Sequence, residues 1–464
     1  MTTDSSFKTL SLSDSLQSNL SSLGYHAMTP IQAASLPLIL KGEDIIAQAK
    51  TGSGKTAAFG LGVLSNLDVK KFRVQTLVLC PTRELADQVA KEIRRLARTV
   101  HNIKVLTLCG GMPFGPQIGS LEHGAHIIVG TPGRIEEHIR KERLNLEHVD
   151  TLVLDEADRM LDMGFQDTVD TIIDAVPKKR QTMLFSATYP KEIKAISERV
   201  MQSPQIVTVT EQKSEVTIEQ RFFEVDDEVQ RRDAVLRLLF AAQPKSSIVF
   251  CNTRRECNDV AEELRFHGVD ALALHGDLEQ RDRDQVWVRF SNGSASVLVA
   301  TDVAARGLDM DDLELVINYH VALDAEVHVH RIGRTGRAGQ QGKAYTLFSA
   351  REARKVNALE DEQNITIEQE SLPGEDVLKK PFPTPEMSTL QIDGGKKSKL
   401  RPGDILGGLT GAGGIQGSQV GKINMFATYA YVAVNRSVAK LALQKLGQDK
   451  LKGRQFRVRQ VRGR

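Results

Sequence analysis

Two short segments of the chain carry residue types suited to handling a phosphate chain and a metal ion. In Ala49-Lys50-Thr51-Gly52-Ser53-Gly54-Lys55-Thr56, the glycines Gly52 and Gly54 allow a turn tight enough for successive backbone N–H groups to converge on phosphate oxygens. A helix beginning near Lys55 adds the positive end of its dipole. The Lys55 ammonium is then placed to reach β- and γ-phosphates, and the Thr56 hydroxyl to ligate magnesium. The strict pattern begins with glycine, where this chain has Ala49. The context compensates, because Asp44-Ile45-Ile46-Ala47-Gln48 reads as a short buried strand and Thr56-Ala57-Ala58-Phe59 opens a helix. About a hundred residues later, Asp155-Glu156-Ala157-Asp158 closes the apolar run Thr151-Leu152-Val153-Leu154. A carboxylate at a strand end can hold magnesium through water, and Glu156 beside it can orient or deprotonate the water that attacks a γ-phosphoryl group. Alone, such an acidic string reads as a helix start. The pairing with Lys55 reverses that reading.

Residues so far apart need a scaffold that returns strand ends to one edge. From Asp44 to Val209, strand-like runs at 76–80, 105–108, 127–130, 152–154 and 182–185 alternate with helical stretches, which implies a parallel sheet covered on both faces. After the polar stretch Glu211-Gln212-Lys213-Ser214-Glu215 the pattern restarts, with buried runs at 248–251, 271–274, 297–300 and 315–318. Two α/β lobes in tandem are expected, with a cleft between them. Beyond Glu370 a Pro- and Lys-containing linker leads to a segment read as strand 389–392, helix 404–409, strands 422–426 and 429–434, helix 437–446 and strand 455–461. That order suits a small α+β sheet with one face available for bases.

Composition excludes several classes. Hydrophobic content of 41% and charge of 26% are ordinary for a globular protein, and 464 residues exceed one core. Neither a signal peptide nor a membrane-spanning run is present in the sequence, and Cys80, Cys109, Cys251 and Cys257 lack metal spacing, so reduced core thiols in the cytoplasm are expected. The net charge of +2 hides an asymmetry. Residues 381–464 hold 15 Lys+Arg against 4 Asp+Glu, and the remainder holds 46 against 55. A basic terminal domain of that kind points to a polyanion.

The ordered set of motifs resembles the DEAD-box RNA helicases over roughly residues 7 to 350. The resemblance implies an adenine-recognising element at Phe7 and Gly24-Tyr25-His26-Ala27-Met28-Thr29-Pro30-Ile31-Gln32, where the Gln32 amide both donates to and accepts from the adenine edge. Pro81-Thr82-Arg83-Glu84-Leu85-Ala86, Gly110-Gly111 and Thr131-Pro132-Gly133-Arg134 resemble first-lobe contacts to the RNA backbone, which grip phosphates without reading sequence. Ser186-Ala187-Thr188, with Asp158 and His330, resembles the elements that couple hydrolysis to strand separation. In the second lobe, His275-Gly276-Asp277, Gln280, Arg283 and Ala300-Thr301-Asp302 resemble RNA-side and interlobe elements. Arg306-Gly307-Leu308-Asp309 and His330-Arg331-Ile332-Gly333-Arg334-Thr335-Gly336-Arg337 resemble ATP-side ones, which carries Arg334 and Arg337 to the γ-phosphate and Asp309 to the ribose.

The terminal segment resembles the RNA-binding domain of the DbpA-type bacterial helicases, which target large-subunit ribosomal RNA. Ala427-Thr428-Tyr429-Ala430-Tyr431-Val432-Ala433-Val434 aligns with an RNA-recognition strand, without its basic-Gly pair and its final aromatic. Tyr429 and Tyr431 share one face and either stack bases or pack a core. In the latter case base contacts come from Lys422, Arg454, Arg457 and loops.

The expected architecture is therefore α/β: two tandem RecA-like parallel-sheet lobes, 1–209 and 210–370, a linker 371–387, and an RRM-like α+β domain 388–464. The expected activity is ATP- and Mg2+-dependent unwinding of short RNA duplexes during large-subunit assembly, with large-subunit ribosomal RNA and pre-ribosomal particles as partners. The chain is read as a cytoplasmic monomer without membrane association. An ATP-gated RNA clamp needs the same pockets and differs by separating no duplex. A DNA-translocating helicase is disfavoured because the first-lobe motifs are those of the RNA family.

Overall fold

The computed structural model describes residues 5–461 except 50, 51, 190, 210–217, 306, 307, 309, 311, 337–340 and 364. The chain forms two compact units, Met1–Ser214 and Glu215–Arg464. In the first, strands β1 (Ile45–Gln48), β2 (Thr76–Leu79), β3 (Val105–Leu108), β4 (Ile127–Gly130), β5 (Thr151–Asp155), β6 (Gln181–Ser186) and β7 (Gln205–Thr208) make a parallel sheet in the order β3-β4-β2-β5-β6-β1-β7. The central strands are apolar at almost every position because helices cover both sheet faces. One of those helices, Arg83–Leu96, buries Leu85, Ala86, Val89, Ala90, Ile93 and Leu96, a spacing of three and four that keeps one stripe on the sheet. Thr82 starts it by accepting from the Leu85 N–H at 3.2 Å, and Arg94 and Arg95 face the negative end of its dipole.

The second unit repeats the plan. Strands β8 (Ile218–Glu224), β9 (Ser247–Cys251), β10 (Ala271–Leu274), β11 (Val297–Thr301), β12 (Leu315–Asn318), β13 (Gly342–Phe348) and β14 (Gln369–Glu370) lie in the order β10-β11-β9-β12-β13-β8-β14, also parallel. Renumbered from its own first strand, this is the strand order of the first sheet. Such a repeat is expected where each crossover is right-handed and the same order of β/α units is used twice.

The same unit contains a third sheet. Strands β15 (Met387–Ile392), β16 (Val420–Met425), β17 (Ala430–Asn435) and β18 (Val458–Gln460) pair antiparallel as β16-β17-β15-β18, with helices Pro402–Thr410 and Ala439–Gln448 packed on one face. This is the small α+β domain expected, although its last strand is shorter than 455–461. It is not tethered loosely. Leu372, Val377, Leu378 and Phe382, in the stretch read as linker, pack on the core of the second parallel sheet, and the Phe382 ring lies 5.3 Å from Phe240.

Candidate functional site

In parallel sheets ligands gather where strands end, and the motifs of the first unit follow strand C-termini, except the Phe7 and Gln32 element, which precedes β1. The sheet order sorts them. β3, β4 and β2 are neighbours and deliver Gly110, Thr131 and Thr82; β5, β6 and β1 are neighbours and deliver Asp155, Ser186 and Ala49.

On the β1 side, Lys55 opens helix Lys55–Asn66 and is buried, with its ammonium donating to the Ala49 carbonyl at 2.6 Å. Ser53 and Thr56 are partly exposed beside it, while Lys50 and Thr51 fall outside the described residues. Gly52 (φ +83°) and Gly54 (φ +94°) occupy the left-handed region. A Cβ on Gly54 would lie 2.5 Å from Gln32 Nε2 and 3.0 Å from Thr29 Oγ1. Gln32 is buried; its oxygen accepts from the Thr29 N–H at 3.0 Å and its nitrogen donates to the Gly54 carbonyl at 3.0 Å. One N–H and one lone pair of the amide are left for an adenine edge, fewer than a solvated side chain would offer. The residue therefore also sets the loop. Phe7 is buried edge-to-face against Tyr25, at 6.2 Å. Gly54→Ala is expected to weaken ATP binding at least tenfold, since left-handed strain of about 1–3 kcal/mol adds to the clash with Gln32. Titration with a fluorescent ATP analogue checks this, and an affinity within twofold of the parent would disprove it.

Asp155 ends β5 at 3% exposure. Burial pushes its carboxyl up to about 7, opposed by the Lys55 ammonium and reinforced by Glu156. Glu156 is buried in a left-handed conformation (φ 52°), and its Oε2 lies 3.5 Å from Arg159 Nη1. Asp158, two residues on, crosses to the end of β6. Its Oδ2 accepts from the N–H groups of Ala187 and Thr188, both at 3.0 Å, and from the Thr188 hydroxyl at 3.1 Å, and its own N–H donates to Ser186 Oγ at 3.4 Å. Burial alone would raise its pKa, but these hydrogen bonds leave it below the ordinary value. The acidic tetrapeptide and Ser186-Ala187-Thr188 are thus one bonded unit.

On the β2 side, Arg83 and Gly111 (φ +67°) are in contact: a Cβ on Gly111 would lie 1.9 Å from the Arg83 guanidinium. Thr131 Oγ1 accepts from the Gly110 N–H at 3.3 Å. Pro132 and Gly133 start helix Pro132–Arg140, and Arg134 donates to the Met112 carbonyl at 2.9 Å, pairs with Glu137 at 3.0 Å and lies over the Phe114 ring. Pro81 and Thr82 lead into the neighbouring helix. Backbone amides, hydroxyls and guanidinium groups from three loops converge here, a donor set suited to a polyphosphate strand.

In the second unit, His275 is buried with Nε2 3.0 Å from Asn258 Oδ1, and burial lowers its pKa so that the ring is neutral near pH 7. Gly276 is exposed, and Asp277 pairs with Arg254. Gln280 begins helix Gln280–Ser291, its amide donating to Asp284 Oδ1 at 2.8 Å, and Arg283 is partly buried on the next turn. Thr301 ends β11. Arg334 and His330 are partly exposed, with Arg334 Nε 3.4 Å from the His330 carbonyl. Gly307, Asp309 and Arg337 lie outside the described residues.

Arg331 escaped selection as a site residue although it stands inside the last motif. Among the described residues it is the largest fully buried side chain; it forks onto Asp302 at 2.7 and 2.8 Å, and also donates to Asn252 Oδ1 at 3.1 Å and the His320 carbonyl at 3.1 Å. It therefore joins the ends of β9, β11 and β12. Its residue type gives no local signal of burial; only its place beside Asp302 does.

In the terminal domain the tyrosines, read either as stacking bases or as packing a core, are packed. Tyr429 and Tyr431 do not offer a face to bases. Tyr431 has no exposed surface, and its hydroxyl reaches Gln285 Oε1 at 3.4 Å; the Tyr429 hydroxyl donates to Asp284 Oδ2 at 3.2 Å under the Arg281 guanidinium. The sheet face that carries them lies on helix Gln280–Ser291, because large aromatic rings gain more by mutual burial than by exposure. Thr389, with Asn292 and Ser294, and Arg436, with Asp270, extend the contact. Lys422, Arg454 and Arg457 remain exposed. Loops carrying Lys396, Lys397 and Lys399 and the turn with Lys452 and Arg454 are drawn together, with Lys452 Nζ donating to the Lys399 carbonyl at 3.1 Å.

A glycine loop beside a buried lysine, strand-end carboxylates and a cluster of backbone and side-chain donors on one sheet, with a second sheet of the same order, suit a nucleoside-triphosphate-driven motor acting on a nucleic-acid strand. Family models match three stretches: DEAD/DEAH box helicase at residues 29–196, helicase conserved C-terminal domain at 230–339, and DbpA RNA binding domain at 389–460. The chain is 52% identical over 454 residues to the ATP-dependent RNA helicase DbpA of Escherichia coli (strain K12), covering 98% of this chain and 99% of that one. It is 43% identical over 355 residues to the DEAD-box ATP-dependent RNA helicase CshA of Geobacillus kaustophilus, covering 76% of each. Among solved structures, S. cerevisiae Dbp5 bound to RNA and ADP BeF3 aligns with a TM-score of 0.72 and 28% identity over 82% of this chain and 100% of that one. The chain belongs to the DEAD-box ATP-dependent RNA helicases, of the DbpA type, whose helicase activity is driven by ATP hydrolysis. No helix among the described residues is long and apolar enough to cross a membrane.

Proposed function

We propose that this helicase unwinds short RNA duplexes in the assembling large ribosomal subunit, held there by its basic terminal domain, as a monomer in the cytoplasm. The supporting observation is the sorting of motifs along the first sheet, which sets the phosphate loop and the strand-gripping loops on adjacent halves of one edge. ATP enters with its adenine against Phe7 and Gln32 and its phosphates in the loop 49–56. Lys55 exchanges the Ala49 carbonyl for phosphate oxygens. The buried Asp155, its pKa raised by desolvation, fits a divalent cation, because a nearby positive charge would restore the ionised carboxylate. Thr56 and Asp155 would hold magnesium, which supplies neutralisation of the phosphate charge. Glu156 orients and deprotonates water, while Arg334 and Arg337 meet the charge that develops on the γ-phosphoryl group. Asp309 takes the ribose, and Gly307 belongs to the same nucleotide-binding set. Asp158 transmits the change to Ser186-Ala187-Thr188 through the bonds it already makes, and His330 belongs to the same coupling set.

The RNA backbone lies on Pro81, Thr82, Arg83, Gly110, Gly111, Thr131, Pro132, Gly133 and Arg134 in one unit and on His275, Gly276, Gln280, Arg283 and Thr301 in the other. Target choice falls to the exposed lysines and arginines around Lys399, Lys452 and Arg454, with Lys422 and Arg457, since the tyrosine face is occupied. In a phosphate-release assay, large-subunit ribosomal RNA is expected to activate the full chain at concentrations at least tenfold below those needed with an unrelated RNA of equal length. A chain ending at residue 380 should keep RNA-stimulated hydrolysis and lose that preference. Equal stimulation of the full chain by both RNAs would overturn the ribosomal assignment.

A further inference from the structure

We propose that Asp284 is a positioning residue through which the terminal domain sets the RNA contact of Gln280; the proposal rests on the reading of Gln280 as a backbone contact. The two oxygens of this carboxylate serve different domains. Oδ1 accepts from Gln280 Nε2 at 2.8 Å, one helical turn earlier, and Oδ2 accepts from the Tyr429 hydroxyl at 3.2 Å. The tyrosine is itself fixed. Phe426 stacks on its ring at 4.8 Å and 20°, Tyr431 meets it edge-on at 5.5 Å, and Arg281 covers it at 5.2 Å. A carboxylate bonded from both sides loses torsional freedom about its terminal bond, and the long Gln280 side chain that donates to it loses freedom in turn. Gln280 stands at the first position of helix Gln280–Ser291, with Leu278 and Glu279 between it and His275-Gly276-Asp277. Docking of the terminal domain thus lowers the ordering cost of RNA binding at the lobe. That saving enters RNA affinity and leaves turnover at saturation unchanged.

The test measures ATP hydrolysis by the full chain against the concentration of a single-stranded oligouridylate, which offers the terminal domain no folded RNA. Tyr429→Phe keeps the ring and removes the hydroxyl; it is expected to raise the KM for RNA about threefold to tenfold, the ordering cost of one long side chain, with kcat unchanged within twofold. Gln280→Ala should raise the KM by itself, and adding Tyr429→Phe to it should change nothing more, since the coupled groups are already separated. Tyr431→Phe is the control: its hydroxyl reaches Gln285 instead, so the KM should stay at the parent value. An unchanged KM in Tyr429→Phe, additive effects in the double variant, or an equal rise in Tyr431→Phe would each overturn the relay alone. An unchanged KM in Gln280→Ala would overturn the relay together with the assignment of Gln280.

Discussion

Glu156→Gln is expected to lower ATP turnover at saturating RNA by about 10²–10⁴-fold while nucleotide affinity stays within about threefold, because an amide of the same shape cannot take a proton from water. The binding groups are untouched: the glycine loop, Lys55 and Gln32 belong to β1 and its neighbours, whereas Glu156 follows β5. The residue holds a left-handed backbone as the cap before helix Ala157–Asp162, and an L-amide accepts that conformation as readily as glutamate does, so the local fold should persist. Removal of its charge also relieves part of the pressure that raises the Asp155 pKa, which favours the ionised carboxylate and argues against a secondary loss of metal. Phosphate release and titration with a fluorescent nucleotide separate the two effects. Turnover within tenfold of the parent would remove Glu156 from the reaction, and a parallel collapse of affinity would make its role one of binding.

The second large effect falls on stability. Arg331→Ala should destabilise the second unit by about 3 kcal/mol, the lower end of the range for breaking a buried ion pair, since Asp302 keeps 25% of its side chain exposed and can recruit water. The loss is larger than a surface pair would give because the guanidinium also satisfies Asn252 and the His320 carbonyl. The chain has one tryptophan, Trp287, and it lies in helix Gln280–Ser291 of this unit, so its fluorescence reports urea unfolding there. At about 1.5–3 kcal/mol per molar urea, the midpoint should fall by about 1–2 M. Arg331→Lys, which keeps the charge but not the fork, should fall in between. A shift below about 0.3 M in the alanine variant would mean that the three strand ends are held together by other contacts.

Several features of this protein are written in local sequence. Alternating apolar runs and amphipathic stripes such as Leu85, Ala86, Val89, Ala90, Ile93 and Leu96 encode the α/β class, because each depends only on the period of a helix or strand. Gly52 and Gly54 signal left-handed backbone by residue type alone, and the loop 49–56 can be read as a phosphate cradle from the residues it contains. Long-range order is another matter. Chain order interleaves the two groups of motifs, and only the sheet order β3-β4-β2-β5-β6-β1-β7 separates them into halves. Whether Arg331 is buried, whether Gln32 spends half its amide on the loop, and whether Tyr429 and Tyr431 meet bases or helix Gln280–Ser291 depend on partners from 11 to 146 residues away. A one-dimensional pattern shows which face of a strand is apolar. It does not show what covers that face, since the free energy of covering it is decided by whichever surface the rest of the chain brings there.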